Sequence, residues 1–251
     1  MNIPTMDAHQ RNYPPRYEFY DETSFTIVNQ PSCSSRPNQT SVNRNYPREL
    51  EILNNLTTIV IEDVTLFCTC QEYKTYAISY QGTKIFTVRE NTDCCTYCCT
   101  GNRYSTSLNF ILYDLHENGI MSVFNTSGHF GNYVQVKIAG QIVGSIQRTS
   151  ALLCRPKFLI RNANGEVIFK IKRVVCLPLC FWSEIDFFVY NMDDEEVGKI
   201  TRHWTGCCNV SSDTFSIKFP RDADVLTKAL LIGACLCVDF TSFETEEGTL
   251  V

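Results

Sequence analysis

The 251-residue sequence has no uncharged apolar run of the roughly 20 residues that a helix needs to cross a bilayer. Its longest such run, Ala229–Val238, is closed off by Lys228 and Asp239. Histidine is scarce, at positions 9, 116, 129 and 203 only, and no His-Glu-x-x-His spacing exists to hold a catalytic zinc. Neither a glycine-rich phosphate loop nor a nucleophile elbow is present. A Cys207–His203 pair is near in sequence, but fourteen cysteines make such proximity cheap. No enzyme of the usual kinds is expected. A cationic surplus is also missing: the net charge is −5, and Asp239, Glu244, Glu246 and Glu247 crowd the end of the chain. That balance argues against general nucleic-acid binding. The opening MNIPTMDAHQRN has no apolar signal segment, so the chain is expected not to be secreted. In a reducing compartment its thiols are then free, metal-bound or acylated, and the sequons at Asn38, Asn55, Asn125 and Asn209 stay unused.

What is present divides into a polar lead, a long β-patterned body and one greasy segment. Residues 1–48 are rich in Pro, Asn, Ser and Tyr without periodicity, and read as a disordered tail. Within it Pro14-Pro15-Arg16-Tyr17 has the PPxY form of a WW-domain ligand, carried by Pro14, Pro15 and Tyr17. The alternative is an ordinary proline-rich tail. Leu50–Thr65 reads as a short helix leading into a strand. From Phe67 onward apolar residues alternate with polar ones, and turn residues break the runs. Five hairpins are expected: Tyr76–Glu90 turning at Gln81-Gly82, Asn109–Asn125 at Asn118-Gly119, Tyr133–Arg148 at Ala139-Gly140, Phe158–Arg173 at Asn164-Gly165, and Asp186–Trp204 around Asp193-Asp194. Phe67–Gln71 and Phe215–Phe219 bring the expected total to about twelve strands. So many antiparallel strands in series must close or form a sandwich to hide their edges. A barrel of that size has a lumen too wide for its own side chains.

The greasy segment fits that lumen. Asp222 is a suitable cap for a helix over 223–243, and Ala229, Leu230, Leu231, Ile232, Leu236 and Val238 leave it no polar face. Such a helix is buried in protein or in a membrane. Ten apolar residues rise only about 15 Å against a hydrocarbon core of about 30 Å, which favours protein; the membrane alternative stays open.

Several motifs now carry a family resemblance: Thr92-Asp93-Cys94-Cys95 with Cys98-Cys99, Pro156-Lys157-Phe158, Asp186-Phe187, Val197-Gly198-Lys199-Ile200, His203-Trp204-Thr205-Gly206, Phe219-Pro220, Ile232-Gly233-Ala234-Cys235 and Asp239-Phe240. In consistent order from Leu50 to Phe243, they resemble the phospholipid scramblase family. That resemblance implies a tubby-like fold: mainly β, a closed antiparallel barrel of about twelve strands around a central hydrophobic C-terminal helix. The barrel domain is expected over 49–244, with an acidic tail over 245–251. The resemblance also implies calcium-responsive, ATP-independent, bidirectional movement of phospholipids between leaflets. It places the protein at the cytoplasmic face of the plasma membrane, with cytosolic or nuclear fractions. A different class of function is a non-transporting, membrane-associated lipid-binding module that recruits WW-domain proteins.

Three candidate sites follow. The family's calcium segment falls on Ser211–Asp222, where Ser211, Asp213, Phe215 and Asp222 occupy ligand positions and Asp213 and Asp222 are its only carboxylates. On residues alone the segment reads as a strand and a helix cap. Cys94, Cys95, Cys98 and Cys99 suit palmitate, half of a zinc site completed by Cys207-Cys208, or plain structural thiols. Where the family carries its acylated cysteine cluster this chain reads Thr126-Ser127-Gly128-His129-Phe130-Gly131. Finally Gly198–Gly206 resembles the family's import signal, which would meet importin through Lys199, Arg202 and His203; the alternative is a hairpin strand. A single helix offers headgroups no polar path, so transport through it requires homo-oligomers or a disturbed bilayer.

Overall fold

The computed structural model describes residues 46–65, 74–91, 108–125, 133–149, 156–173, 184–203 and 213–242. Among these residues period-two alternation is realised as strands. A 3-10 helix, Arg48–Asn55, leads into β1 (Thr58–Asp63). Five hairpins follow: β2 (Thr75–Tyr80) with β3 (Thr83–Glu90), β4 (Asn109–Tyr113) with β5 (Gly119–Asn125), β6 (Tyr133–Ile138) with β7 (Gln141–Arg148), β8 (Lys157–Asn162) with β9 (Val167–Lys172), and β10 (Ile185–Tyr190) with β11 (Glu196–His203). β12 (Thr214–Lys218) pairs with both β11 and β1 and closes a twelve-strand antiparallel barrel. One residue in two points inward, among them Ile59, Ile78, Val88, Phe110, Val136, Ile160, Phe187 and Ile217, all buried.

Because every strand pairs with its sequence neighbours, the five tight turns share one end of the barrel. Two turns have two residues. Gln81-Gly82 and Ala139-Gly140 take positive φ at both positions (50° and 77°, 48° and 80°), the twist that suits a hairpin. The other three are longer and alike. Asp114, Asn162 and Asn191 each accept two backbone N–H bonds through the side-chain oxygen, and each exchanges a side-chain bond with the residue four further on. Glu117, Gly165 and Asp194 then supply the positive φ.

Two turn and cap expectations are corrected. The β4–β5 turn is not at Asn118-Gly119; Gly119 already belongs to β5, and the loop is organised by Asp114 with Glu117 at φ 64°. Nor is Asp222 the helix cap. It is an exposed turn residue, and Asp224 Oδ1 accepts the Thr227 N–H at 2.8 Å. The helix, α1, therefore runs Val225–Ser242, starting two residues later than expected. The twelfth strand is β1, from the segment read as a short helix leading into a strand; Phe67–Gln71 lies outside the described residues. Tyr46 already packs against the core, ahead of the expected boundary at 48.

Every residue of α1 from Lys228 to Val238 except Gly233 is counted among the buried side chains, and Gly233 is buried too. α1 enters at the tight-turn end, where β12 finishes and β1 begins, and runs about 27 Å down the lumen at ~1.5 Å per residue. Two glycines let it fit. A Cβ on Gly144 of β7 would stand 2.2 Å from the Arg161 carbonyl oxygen and 2.8 Å from a Leu230 methyl, and one on Gly233 would stand 3.0 Å from Val136.

Candidate functional site

The feature that separates this barrel from a plain β structure is its filled lumen. α1 carries only two charged residues, Lys228 and Asp239, and both are buried, at 4 % and 2 % exposure. At the tight-turn end Lys228 Nζ donates to the carbonyls of Leu53, Asn54 and Leu56, each at 2.9 Å. These carbonyls come from the end of the 3-10 helix and its cap, where the backbone supplies only the Leu56 N–H, to Leu53 at 3.1 Å. An ammonium has three protons, and all three are placed. The Phe219 ring lies 5.7 Å from the same nitrogen. Burial pulls the Lys228 pKa down, and Asp224 opposes this.

At the other end Asp239 Oδ2 accepts the Tyr76 hydroxyl at 2.6 Å, and Lys74 Nζ stands 3.5 Å away. Asp239 Oδ1 is buried and finds no donor among the described residues. Burial raises the pKa of this carboxyl, against the opposing pull of Lys74 and the Tyr76 bond. Thr241 Oγ1 donates to the Cys237 carbonyl at 2.7 Å, and Arg148 donates to the Thr241 carbonyl at 3.3 Å. Cys235 and Cys237 are buried free thiols. Burial pushes Cys237 up to about 12 and Cys235 well above the ordinary thiol value, so neither is a nucleophile.

The expected calcium residues are not brought together among the described residues. Asp213 precedes β12 and is clasped by Arg202 Nη2 at 2.7 Å to both oxygens. Phe215 is buried in the barrel core. Asp222 follows β12, so a five-residue strand of roughly 17 Å separates the two carboxylates. Calcium–oxygen bonds are about 2.4 Å. Ser211 lies outside the described residues, as do Cys94, Cys95, Cys98, Cys99, Pro14, Pro15 and Tyr17. No group of three metal-capable side chains occurs among the described residues. The importin residues separate as well. Lys199 and His203 stand on the outer face of β11, bonded to Asp186 (3.1 Å) and to Glu184 and Ser216 (2.9 and 2.8 Å). Arg202 lies opposite the inward-facing Phe215. Ala229, Leu230, Leu231, Ile232, Leu236 and Val238 all pack inside the barrel. No helix among the described residues is long and apolar enough to cross a membrane.

Sequence reasoning named Lys228 only as a charge that shortens an apolar run. Its three-carbonyl seat was foreshadowed by the short helix before β1, whose end must leave carbonyls over. The Asp239–Tyr76 bond, across 163 residues, leaves no local signal.

A closed twelve-strand antiparallel barrel whose lumen is filled by its own C-terminal helix defines the class: a β-barrel with an internal plug. The Scramblase family model matches residues 36–245, and the chain belongs to that family. Among its relatives, bovine phospholipid scramblase 2 is 35% identical over 66% of this chain and 60% of its own length. Human phospholipid scramblase 1 is 30% identical over 80% of this chain and 67% of its own length. Human phospholipid scramblase family member 5 is 41% identical over 42% of this chain and 40% of its own length. The chain thus spans about three fifths of the bovine protein.

Proposed function

We propose that this protein acts on phospholipid membranes as a scramblase, moving lipids between leaflets in both directions without ATP. The family match over residues 36–245 supports this reading. Such movement is downhill and requires no covalent step, consistent with a chain in which no catalytic constellation was read. The site of action is the cytoplasmic face of the plasma membrane. A calcium response rests on the resemblance alone, since Asp213 is neutralised by Arg202 and Asp222 lies beyond the far end of β12. Purified protein in liposomes tests the proposal: a fluorescent-lipid flip rate above that of protein-free liposomes supports it. A rate equal to empty liposomes, with and without calcium, overturns it.

The enclosed helix favours a second reading, a lipid-binding module that carries no lipid across. If α1 left for a bilayer, its own side chains would stay in an apolar medium, but the lumen would not. Each large apolar side chain brought back into contact with water costs about 2 kcal/mol. Val123, Val136, Ile146, Ile160 and Ile217 alone would come to roughly 10 kcal/mol, the whole stability of an ordinary domain. Lys228 would also abandon three carbonyls. Lipid movement by this fold therefore proceeds with α1 in place, through assembly of copies or local disturbance of the bilayer. WW-domain proteins and importin remain proposed partners, through Pro14–Tyr17 and through Lys199 and His203.

A further inference from the structure

The outer face of β8–β12 carries Lys157, Arg161, Lys170, Lys172, Lys199 and Lys218. Four of them fall on one line across the sheet. Lys157 stands opposite Lys172, Lys172 opposite Phe188, Phe188 opposite Lys199, and Lys199 opposite Lys218. At about 4.8 Å between strands the line is about 19 Å long. Across β2–β7 the outward cations are Lys84, Arg89 and Lys137, and no two are opposite one another.

Two of these contacts, Lys157 with Lys172 and Lys199 with Lys218, set like charges directly opposite, which destabilises a sheet. In a chain of net charge −5 this is not the overflow of a basic composition. Lys157 and Lys218 are exposed and make no ion pair among the described residues. Lys172 shares Asp194 with Lys170, at 3.2 and 3.1 Å, and Lys199 meets Asp186 at 3.1 Å. Both are solvent-facing pairs, weak enough to exchange one anion for another.

Aromatic rings are interleaved. Lys199 Nζ lies 6.0 Å from the Phe188 ring and Lys172 Nζ 4.9 Å from the Tyr190 ring. A barrel wall is convex, so Phe188, at the middle of the line, is its crest, and the lysines fall away on both sides on long stems that reach outward. An apolar crest with cationic flanks is the composition of an interfacial membrane contact. The line uses only lysine, a point charge without the planar fork that reads defined carboxylates or bases. That suits a diffuse anionic surface better than a shaped acidic partner.

We propose that this line is the surface by which the barrel docks on a bilayer rich in anionic phospholipid. The inference rests on the membrane reading above and adds the face that meets the membrane. The test uses the full chain and vesicles of phosphatidylcholine with or without phosphatidylserine, read by co-sedimentation. The wild type should bind only the phosphatidylserine vesicles, and added salt should weaken it. The set K157Q, K172Q, K199Q and K218Q should weaken binding on the order of 100-fold, from roughly fivefold per lysine at an anionic surface, less for the outer two. The matching Lys→Arg set should keep binding, and K84Q with K137Q should change it less than about twofold. Urea midpoints of all sets guard against unfolding. Equal loss from both glutamine sets, no loss from the quadruple set, equal binding to neutral vesicles, or capture of RNA or acidic peptide instead of vesicles overturns the proposal. A wild type that docks yet flips no lipid rejects transport and keeps docking. A quadruple variant that flips lipid after detergent reconstitution but fails to dock from solution keeps both.

Discussion

The two ends of α1 bury one charge each and treat it differently. Lys228 has a full set of acceptors, three carbonyls at equal distance. Asp239 has one strong donor, a distant ammonium and an oxygen without a partner among the described residues. The first end is a latch that ties the helix to the segment before β1. The second is a weaker seat, at the end of the barrel away from the tight turns. A buried charge by itself thus says little about stability; the completeness of its hydrogen bonding decides.

The sharpest way to break this comparison is Lys228→Ala. Three carbonyls lose the ammonium, that of Leu53 keeping only the Leu56 N–H, so urea unfolding should report a loss of about 3–5 kcal/mol. A cost no greater than that of Asp239→Ala would remove the distinction between the ends. Gly144→Ala probes the lumen wall beside the latch, where the new methyl would meet the Arg161 carbonyl and Leu230. A loss of about 3 kcal/mol is expected by the same measurement.

Asp239→Asn probes the weak end. The raised pKa means that the folded form holds its proton above the ordinary carboxylate range. The folded state then binds more protons than the unfolded one, so this group's contribution falls as pH rises from about 4 through the raised value. Asn removes that slope: near neutral pH the variant should match or exceed the wild type by about 1 kcal/mol, and the difference should vanish in acid. Asp114 has the opposite sign. Its bonds from Asn118 first, then His116, hold its carboxyl below the usual range, so its contribution is present at neutral pH and lost as pH falls through that lowered value. Smallest of all, Asn162→Ala opens one of the three similar loops and should cost about 0.5–1 kcal/mol, seen as a small shift of the urea midpoint.

Much of the barrel was legible because its signals are local. Alternation located all five hairpins, and Gln81-Gly82, Ala139-Gly140, Asn164-Gly165 and the Asp193-Asp194 pair marked turns where positive φ was needed. Asn118-Gly119 misled because Asp114 competes for the same loop: its side chain bonds two backbone N–H groups and moves the reversal upstream. Asp222 misled for a similar reason, since two acceptable caps, Asp222 and Asp224, lie two residues apart and only the bond to Thr227 selects Asp224. The candidate sites were less legible. A calcium set read along one segment assumes a loop, whereas β12 straightens it and carries Asp213 and Asp222 to opposite ends. The lysine line is visible only in cross-strand register, because its members are scattered from position 157 to 218. Lys228 found its carbonyls across 172 to 175 residues.

The central claim is that α1 remains the plug of the barrel when the protein is on a membrane. Photolabelling from a carbene probe carried on lipid acyl chains tests it directly, with the full chain bound to phosphatidylserine vesicles and labelled positions mapped by peptide sequencing. The account predicts no label between Ala229 and Val238, as in protein without lipid. Label on Leu230, Ile232 or Leu236 would place α1 among the acyl chains and contradict it.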